Sequence, residues 1–206
     1  MALSDSSQTR RLLDEVAAGD REAFERLFER HRRDLVGLVK LRVGKPIRSR
    51  LDPSDVVQEA YADAVARLPD YLARRPMPFR LWLRKTAHER LIKLNEHHRY
   101  ARRSVKREVP IPKRSSALLA RRLVVSGLTV SQDLSRREMA ERVRQALARL
   151  TDEDREILTM RYLEHLENQE IAALLEIDPA AASRRHGRAL MRLGRVLREF
   201  DVGGSD

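Results

Sequence analysis

The residues best suited to chemistry are arginines in the last quarter of the chain. Four of them recur at intervals of four, four and three residues, which puts them on one helical face: Arg184, Arg188, Arg192 and Arg195. Guanidinium groups on such a face bind phosphate oxygens, and those in the early turns of a helix in the major groove can pair with guanine. The spacing predicts a DNA-binding helix; the alternative is a basic face that meets only solvent.

The residues around these arginines indicate how they are positioned. Ile171, Leu174 and Leu175 share helical spacing in a short apolar segment. Asp178 then offers an N-cap oxygen, and Pro179 suits the first position of a new helix. The packing stripe of that helix lies on another face: His186, Ala189, Leu190, Leu193, Val196, Leu197 and Phe200. A short helix, a tight turn and a basic second helix predict a helix-turn-helix.

Two residues in this segment depart from that pattern. Glu176 stands at a turn position that tends to need a left-handed backbone, which strains a residue other than glycine. Gly187 weakens the second helix by up to about 1 kcal/mol relative to alanine, unless a neighbour or DNA approaches closely there.

A polar group on an earlier helix is the second candidate site. Asp52 and Pro53 repeat the cap described above and open a helix whose inner face we expect to contain Val57, Tyr61, Ala64, Val65 and, at its end, Leu68. Asp55, Gln58 and Glu59 fall together on the opposite face, in a half of the chain that is otherwise basic. These side chains form either a contact surface or a solvated face.

A third candidate site combines aromatic and basic residues. Three prolines predict a loop from Pro69 to Phe79, followed by a helix from Arg80 to Arg99. Aromatic faces and cations together bind single-stranded nucleic acid, so Tyr71, Phe79 and Trp82 are candidates for base contact. The candidates for phosphate contact are Arg74, Arg75, Arg84, Lys85 and His88. The alternative is that the aromatic side chains pack in the core.

Composition limits the classes of protein that fit. The net charge is +11, with 35% charged and 4% aromatic residues among 206, which favours a polyanionic partner and small helical cores. With no cysteine, disulfides and cysteine-based zinc sites are excluded. The histidines show no zinc spacing, and no nucleophile elbow or phosphate loop occurs. We expect no metal, cofactor or catalysis, no membrane span, and a cytoplasmic location.

The pattern of elements predicts an all-α fold of two small helical bundles. Residues 1–103 form the first bundle, which begins with a helix at 9–17 and a long helix from Arg21. Residues 104–134 contain prolines, glycine and basic pairs and are expected to form a flexible basic linker. Residues 135–206 form the second bundle, with helix caps at Ser135 and at Thr151 or Asp152 and the helix-turn-helix at its end.

Taken together, these motifs resemble those of extracytoplasmic-function sigma factors of the sigma-70 family. Residues 52–61, DPSDVVQEAY, are similar to the family motif that binds the β′ coiled coil of RNA polymerase. Residues 79–87, FRLWLRKTA, resemble the segment that opens and reads the −10 promoter element, and residues 148–193 resemble the −35-reading domain. The run AAASRR at 180–185 is similar to that of a planctomycete-type subgroup.

The resemblance implies a role for each candidate site. It implies that Asp55, Gln58 and Glu59 contact core polymerase and that the third candidate site contacts −10 DNA. Ser183, Arg184, Arg185 and Arg188 would contact −35 DNA, while Arg192, Arg195 and Arg198 lie further along and would touch phosphates or nothing. The β flap and an anti-sigma factor are further candidate partners. A helix-turn-helix regulator acting without polymerase is the alternative function.

Some residues differ from the family pattern. Glu89 and Lys93 stand where asparagine and aspartate are common in the −10 helix, and Ala181 with Ala182 replaces a frequent Thr-Val pair. The usual promoter preferences are therefore not carried over to this chain.

Overall fold

The structure, a computed structural model, describes residues 4–42, 52–100, 118–119 and 136–202. All regular structure in these segments is helical, and they contain no strand, so the predicted all-α fold is confirmed. The chain divides into two compact units, residues 1–107 and 108–206. Apart from 118–119, the predicted linker at 104–134 and the predicted cap at Ser135 lie outside the described residues.

The first unit contains four helices: α1 (Ser7–Ala17), α2 (Arg21–Arg42), α3 (Pro53–Arg74) and α4 (Phe79–Tyr100). Each begins where a side-chain oxygen accepts an otherwise unpaired backbone N–H. Ser6 accepts from Thr9 N at the start of α1, and Asp52 accepts from Ser54 N at 2.8 Å ahead of Pro53, as predicted. Short polar residues outside the helices thus fix where the helices begin.

These helices bury one continuous apolar cluster. On α2 the buried apolar stripe consists of Phe24, Leu27, Phe28, Leu35, Leu38 and Val39, and His31 on the same side is half-buried. From α3 and α4 the cluster receives Val56, Val57, Ala60, Ala64, Tyr71, Phe79, Trp82, Leu83, Ala87 and Leu91. Val65, predicted to face inward, is 45% exposed instead. The buried face of α3 follows residues 57, 60, 64 and 71, and Val65 is rotated by one residue, about 100°, from Ala64.

The prediction that a loop begins at Pro69 is wrong. α3 continues through this proline to Arg74, and only residues 75–78 separate it from α4. A proline inside a helix removes the hydrogen bond to the carbonyl four residues earlier, here that of Val65. Both residues are exposed, so water can satisfy that carbonyl. The extra turn carries Tyr71 into the core, where its hydroxyl donates to the Met77 carbonyl at 3.0 Å.

The second unit contains α5 (Arg136–Arg149), α6 (Asp152–Leu158), a π-helical turn (Thr159–Leu163), α7 (Asn168–Leu175) and α8 (Pro179–Val202). Thr151 caps α6 by accepting from Asp154 N at 3.2 Å. Asp178 accepts from Ala181 N at 2.7 Å, so α8 begins at the predicted residue. The helix-turn-helix pair is therefore α7 and α8.

Arg155 holds the first two of these helices together, a role that its position in the sequence did not suggest. Its guanidinium donates to the carbonyls of Leu147 and Leu150, both at 2.9 Å, and to Asp152 at 2.8 Å. The two carbonyls lie at the end of α5, where helical carbonyls lack intrahelical donors. One side chain thus satisfies the end of α5 and ties it to the start of α6.

Glu176 has the left-handed backbone predicted for it, with φ 56° and ψ 41°. We expect Glu176→Gly to raise the free energy of unfolding of the second unit by about 0.5–1 kcal/mol, because relief of left-handed strain exceeds the added entropy of the unfolded chain. The measurement is thermal or urea unfolding followed by circular dichroism.

The matched control is Ala180→Gly, an exposed residue within the first turn of α8. That change should destabilise by roughly 0.5–1 kcal/mol, since glycine gains nothing in a right-handed helix. If both glycine variants were less stable than the original chain, strain at Glu176 would not be a significant cost.

Candidate nucleic-acid interface

The exposed face of α8 carries the predicted arginine stripe. Ala182, Ala189, Leu193 and Leu197 are buried beneath it, so the opposite face is turned to solvent. The exposed polar residues of that face are Ser183, Arg184, Arg188, Arg192, Arg195 and Arg198. Ser183, Arg184 and Arg188 lie in the first three turns, the part of a recognition helix that reaches base edges.

Two arginines of α8 are held by carboxylates from the first turn of α6: Arg192, which belongs to this stripe, and Arg185, which lies beside it. Arg185 Nη2 lies 2.8 Å from Glu153 Oε2, and Arg192 Nη1 lies 2.5 Å from Asp154 Oδ2. The Arg185 side chain is only 21% exposed, in contrast to the other arginines of the early turns. The predicted cation stripe therefore has a restrained flank that spacing alone did not reveal.

Two contacts set how the recognition helix meets the rest of its unit. The Asn168 side-chain amide donates to the Pro179 carbonyl at 2.8 Å, which joins the first residues of α7 and α8. His186 Nε2 lies 3.2 Å from the Tyr162 hydroxyl. Burial, with a smaller contribution from the nearby positive charge of Arg161, lowers the pKa of His186. A lowered pKa disfavours the charged imidazolium, so His186 acts as a packing residue.

Gly187 has open space beside it. A Cβ added there would meet no atom within 4 Å, so packing within the described part of the chain does not require glycine. Of the two explanations given for this residue, close approach by a protein neighbour is not supported. Close approach by DNA stays a prediction.

The second candidate site is on the exposed face of α3. Asp55 and Gln58 are exposed, whereas Glu59 accepts from Arg90 Nε of α4 at 2.7 Å. The same face continues with apolar or small exposed residues: Ala62, Val65, Ala66, Pro69 and Ala73. A face that is polar at one end and uncharged along most of its length is unusual in a chain with 35% charged residues.

The aromatic residues proposed to contact bases are buried. Tyr71, Phe79 and Trp82 are 2%, 0% and 9% exposed, respectively. Tyr71 stacks on Trp82 with ring centroids 4.5 Å apart, and Phe79 lies 5.6 Å from Trp82. Burial also raises the pKa of Tyr71. This burial supports the packing alternative for all three rings, and the contact of Tyr71 and Phe79 with an unstacked base stays a prediction.

The basic residues of this region differ in accessibility. Arg74 is exposed, with a long 3.5 Å ion pair to Asp70, whereas Arg75 pairs with Asp14 of α1 at 2.9 Å. Arg84 is buried, so little of its side chain is accessible for the predicted contact with a DNA strand. Lys85 and His88 are half-exposed, and Arg42 Nη1 lies 2.7 Å from His88 Nε2. The accessible cations here are therefore fewer than the sequence suggested.

The structure also shows the surroundings of the two α4 residues that differ from the family pattern, Glu89 and Lys93. Glu89 accepts from Arg67 of α3 at 2.6 Å, and Lys93 is exposed. Within the described residues no group of three metal-ligating side chains occurs. The helices of the described segments include none long and apolar enough to cross a bilayer.

Trp82, the only tryptophan, can report whether these rings stay buried. We expect the folded chain to show blue-shifted tryptophan emission that acrylamide quenches poorly, because the indole lies in the core. Addition of single-stranded DNA should leave this emission unchanged. Strong quenching by DNA, with no quenching by an equal concentration of mononucleotides, would instead indicate base stacking on Trp82.

Comparison with known families accounts for both units. Residues 27–108 match the model of sigma-70 region 2, and residues 132–193 match that of sigma-70 region 4. The first match covers α3 and α4, and the second covers α7 and the part of α8 up to residue 193. The second and third candidate sites therefore lie inside the first match. Of the arginine stripe, Arg184, Arg188 and Arg192 lie inside the second match, and Arg195 lies beyond its end.

Individual proteins agree with the family models. The ECF RNA polymerase sigma factor SigD of Mycobacterium bovis is 31% identical over 182 residues, which cover 87% of this chain and 79% of SigD. SigD from two strains of Mycobacterium tuberculosis matches to the same extent. The structure of CnrH in complex with the cytosolic domain of CnrY shares the fold, with a TM-score of 0.55 and 22% identity over 94% of this chain and 99% of that one. The chain belongs to the ECF sigma factors of the sigma-70 family, which direct RNA polymerase to promoters for the initiation of transcription.

Proposed function

We propose that each of the two units recognises a different part of the promoter. The first unit binds core RNA polymerase through α3 and the −10 element through α4. The second unit binds the −35 element through α8 and contacts the β flap. Each step is binding rather than catalysis, and we place the protein in the cytoplasm because its partners are polymerase and promoter DNA.

The observation that carries the polymerase assignment is the exposed face of α3. Asp55 and Gln58 point away from a core that is complete without them, so they contribute little to folding. Glu59 retains 41% exposure while bonded to Arg90. Its carboxylate is therefore held in one place, and a fixed carboxylate loses less conformational entropy when a partner binds. We assign these three residues to the β′ coiled coil.

The apolar continuation of this face supports the same partner. Residues with short side chains let another helix approach closely, and Val65 supplies apolar area beside them. Interface cores are depleted in charge and bordered by polar residues, and the face of α3 has an uncharged stretch with Asp55 and Gln58 at one end. A coiled coil, itself a pair of helices, fits such a face.

The −10 surface is assigned to the accessible residues beside the aromatic cluster. Arg74 is exposed and Lys85 and His88 are half-exposed, so all three are accessible enough to be assigned to phosphates. Ile92 is 41% exposed and lies one turn beyond His88 on α4, where it offers apolar surface to a base. In this assignment the buried rings of Tyr71, Phe79 and Trp82 pack beneath the proposed −10 surface and do not contact DNA.

The −35 contact is assigned to the start of α8. Arg184 and Arg188 are exposed and lie four residues apart, so both can reach one groove. Ser183 is exposed beside them and can bond a phosphate or a base edge. Arg195 and Arg198 lie two turns further along, where phosphates of the flanking backbone are the available partners.

An anti-sigma factor is a further partner in this proposal. CnrH, which shares the fold, was solved with the cytosolic domain of another protein, CnrY. A helix-turn-helix regulator acting without polymerase would have no use for the exposed face of α3, and no observation favours that alternative.

The polymerase assignment is tested with the double variant Asp55→Ala, Gln58→Ala. We expect it to bind core polymerase at least tenfold more weakly, because removal of interface anchors typically costs about 1–2 kcal/mol each. The melting temperature should stay within a few degrees of the original, since both residues lie outside the core. The measurements are affinity for core polymerase and thermal unfolding.

The matched control is Asp70→Ala, which removes an exposed acid of the same helix about four turns away. It should bind core polymerase as the original chain does. Equal affinity for all three chains would contradict the assignment of Asp55 and Gln58 to the polymerase contact.

A further inference from the structure

The first turn of α6 is acidic, and each of its three carboxylates holds one arginine. Asp152 pairs with Arg155 of the same helix, while Glu153 and Asp154 reach across to Arg185 and Arg192 of α8. Acids are favourable at a helix N-terminus in any case, because they meet the positive end of the helix dipole. Two of the three carboxylates, those of Glu153 and Asp154, also neutralise cations of the recognition helix. The helix dipole does not explain why these two carboxylates reach across to α8.

The two contacts to α8 differ in how easily they can open. Asp154 is 5% exposed, so its pair with Arg192 is needed to compensate a buried charge. Glu153 is 79% exposed, and its pair with Arg185 is a surface ion pair, weak and screened by salt. Only the second pair can therefore act as an adjustable restraint on a cation near DNA.

We propose that Glu153 sets the DNA affinity of the second unit by holding Arg185 away from phosphate. This inference rests on the proposed −35 contact. In this arrangement Arg184 and Arg188 are the early-turn cations that contact DNA, while Arg185 remains paired with the Glu153 carboxylate. Among the described residues no acid pairs with Arg184 or Arg188, so the restraint is selective.

The restraint bears on specificity because of what each contact contributes. Phosphate contacts give affinity that does not depend on sequence, whereas base contacts discriminate. A freed Arg185 would add a phosphate contact and tighten binding to all DNA. By occupying Arg185, Glu153 keeps nonspecific binding low and leaves a larger share of the affinity to base contacts.

The test measures binding of the full chain to a mixed-sequence duplex over a series of salt concentrations. Glu153→Gln should bind about two- to fivefold more tightly and steepen the plot of log affinity against log salt by about 0.9, since one further phosphate is neutralised. The double variant Glu153→Gln, Arg185→Gln should return to the original affinity and slope, because it removes a pair with no net charge.

The control for charge is Glu199→Gln, which changes the net charge by the same amount and releases Arg149 from a 3.4 Å pair. Its affinity should rise less than that of Glu153→Gln, and its slope should stay unchanged. An equal rise in both would overturn the inference, because net charge alone would then account for it. A double variant that binds more weakly than the original would also overturn it, since Arg185 would already contact DNA.

Arg184→Gln separates failure of this inference from failure of the proposed function. It should weaken binding, because one of the two assigned early-turn contacts with DNA is lost. If it does so while Glu153→Gln has no effect, only the restraint is wrong. If Arg184→Gln binds as the original chain does, the assigned DNA surface is wrong, and the inference about Glu153 is overturned with it.

Discussion

The structure depends on side-chain oxygens that accept the unpaired amides at the start of α1 to α4, α6 and α8. Asp20 accepts from Ala23 N, and Asp5 accepts from Phe79 N at the start of α4, 74 residues away in sequence. Such caps are worth about 1 kcal/mol each, a sizeable fraction of the stability of a small domain. With 4% aromatic residues the cores are thin, so caps have a large share in deciding where a helix begins. The starting residue then fixes which side chains face outward along the whole helix.

The same caps explain which parts of the site could be predicted from sequence. Asp178 with Pro179 and Asp52 with Pro53 are local signals, and both helices begin where those signals predict. The left-handed backbone of Glu176 is likewise a local requirement of the turn. Because these starts were correct, the predicted outward positions of Asp55, Gln58, Arg184 and Arg188 agree with the structure.

The errors come from interactions that are not local. Pro69 usually ends a helix, but the burial of Tyr71 against Trp82 outweighs the loss of one hydrogen bond on the solvent side. Likewise, the spacing of arginines predicts where they lie on a helix, but it cannot predict an ion pair with an acid 32 residues earlier. The predicted −35 contact of Arg185 therefore took no account of Glu153, whose carboxylate pairs with it. Tertiary partners of charged side chains cannot be read from periodicity.

The burial of the aromatic rings decides how the first unit can help to open DNA. To offer Phe79 or Trp82 to a base, the unit would have to expose a core ring, and removing such rings from a core costs about 3–5 kcal/mol. Stacking of one base returns about 1–3 kcal/mol. The exchange is unfavourable, so in the function proposed above an unstacked base is held by groups that are already accessible. On α4 and the end of α3 the proposal assigns this role to Ile92 and Arg74, which are exposed, and to Lys85, which is half-exposed. Such a surface would bind DNA without disturbing the core that supports it.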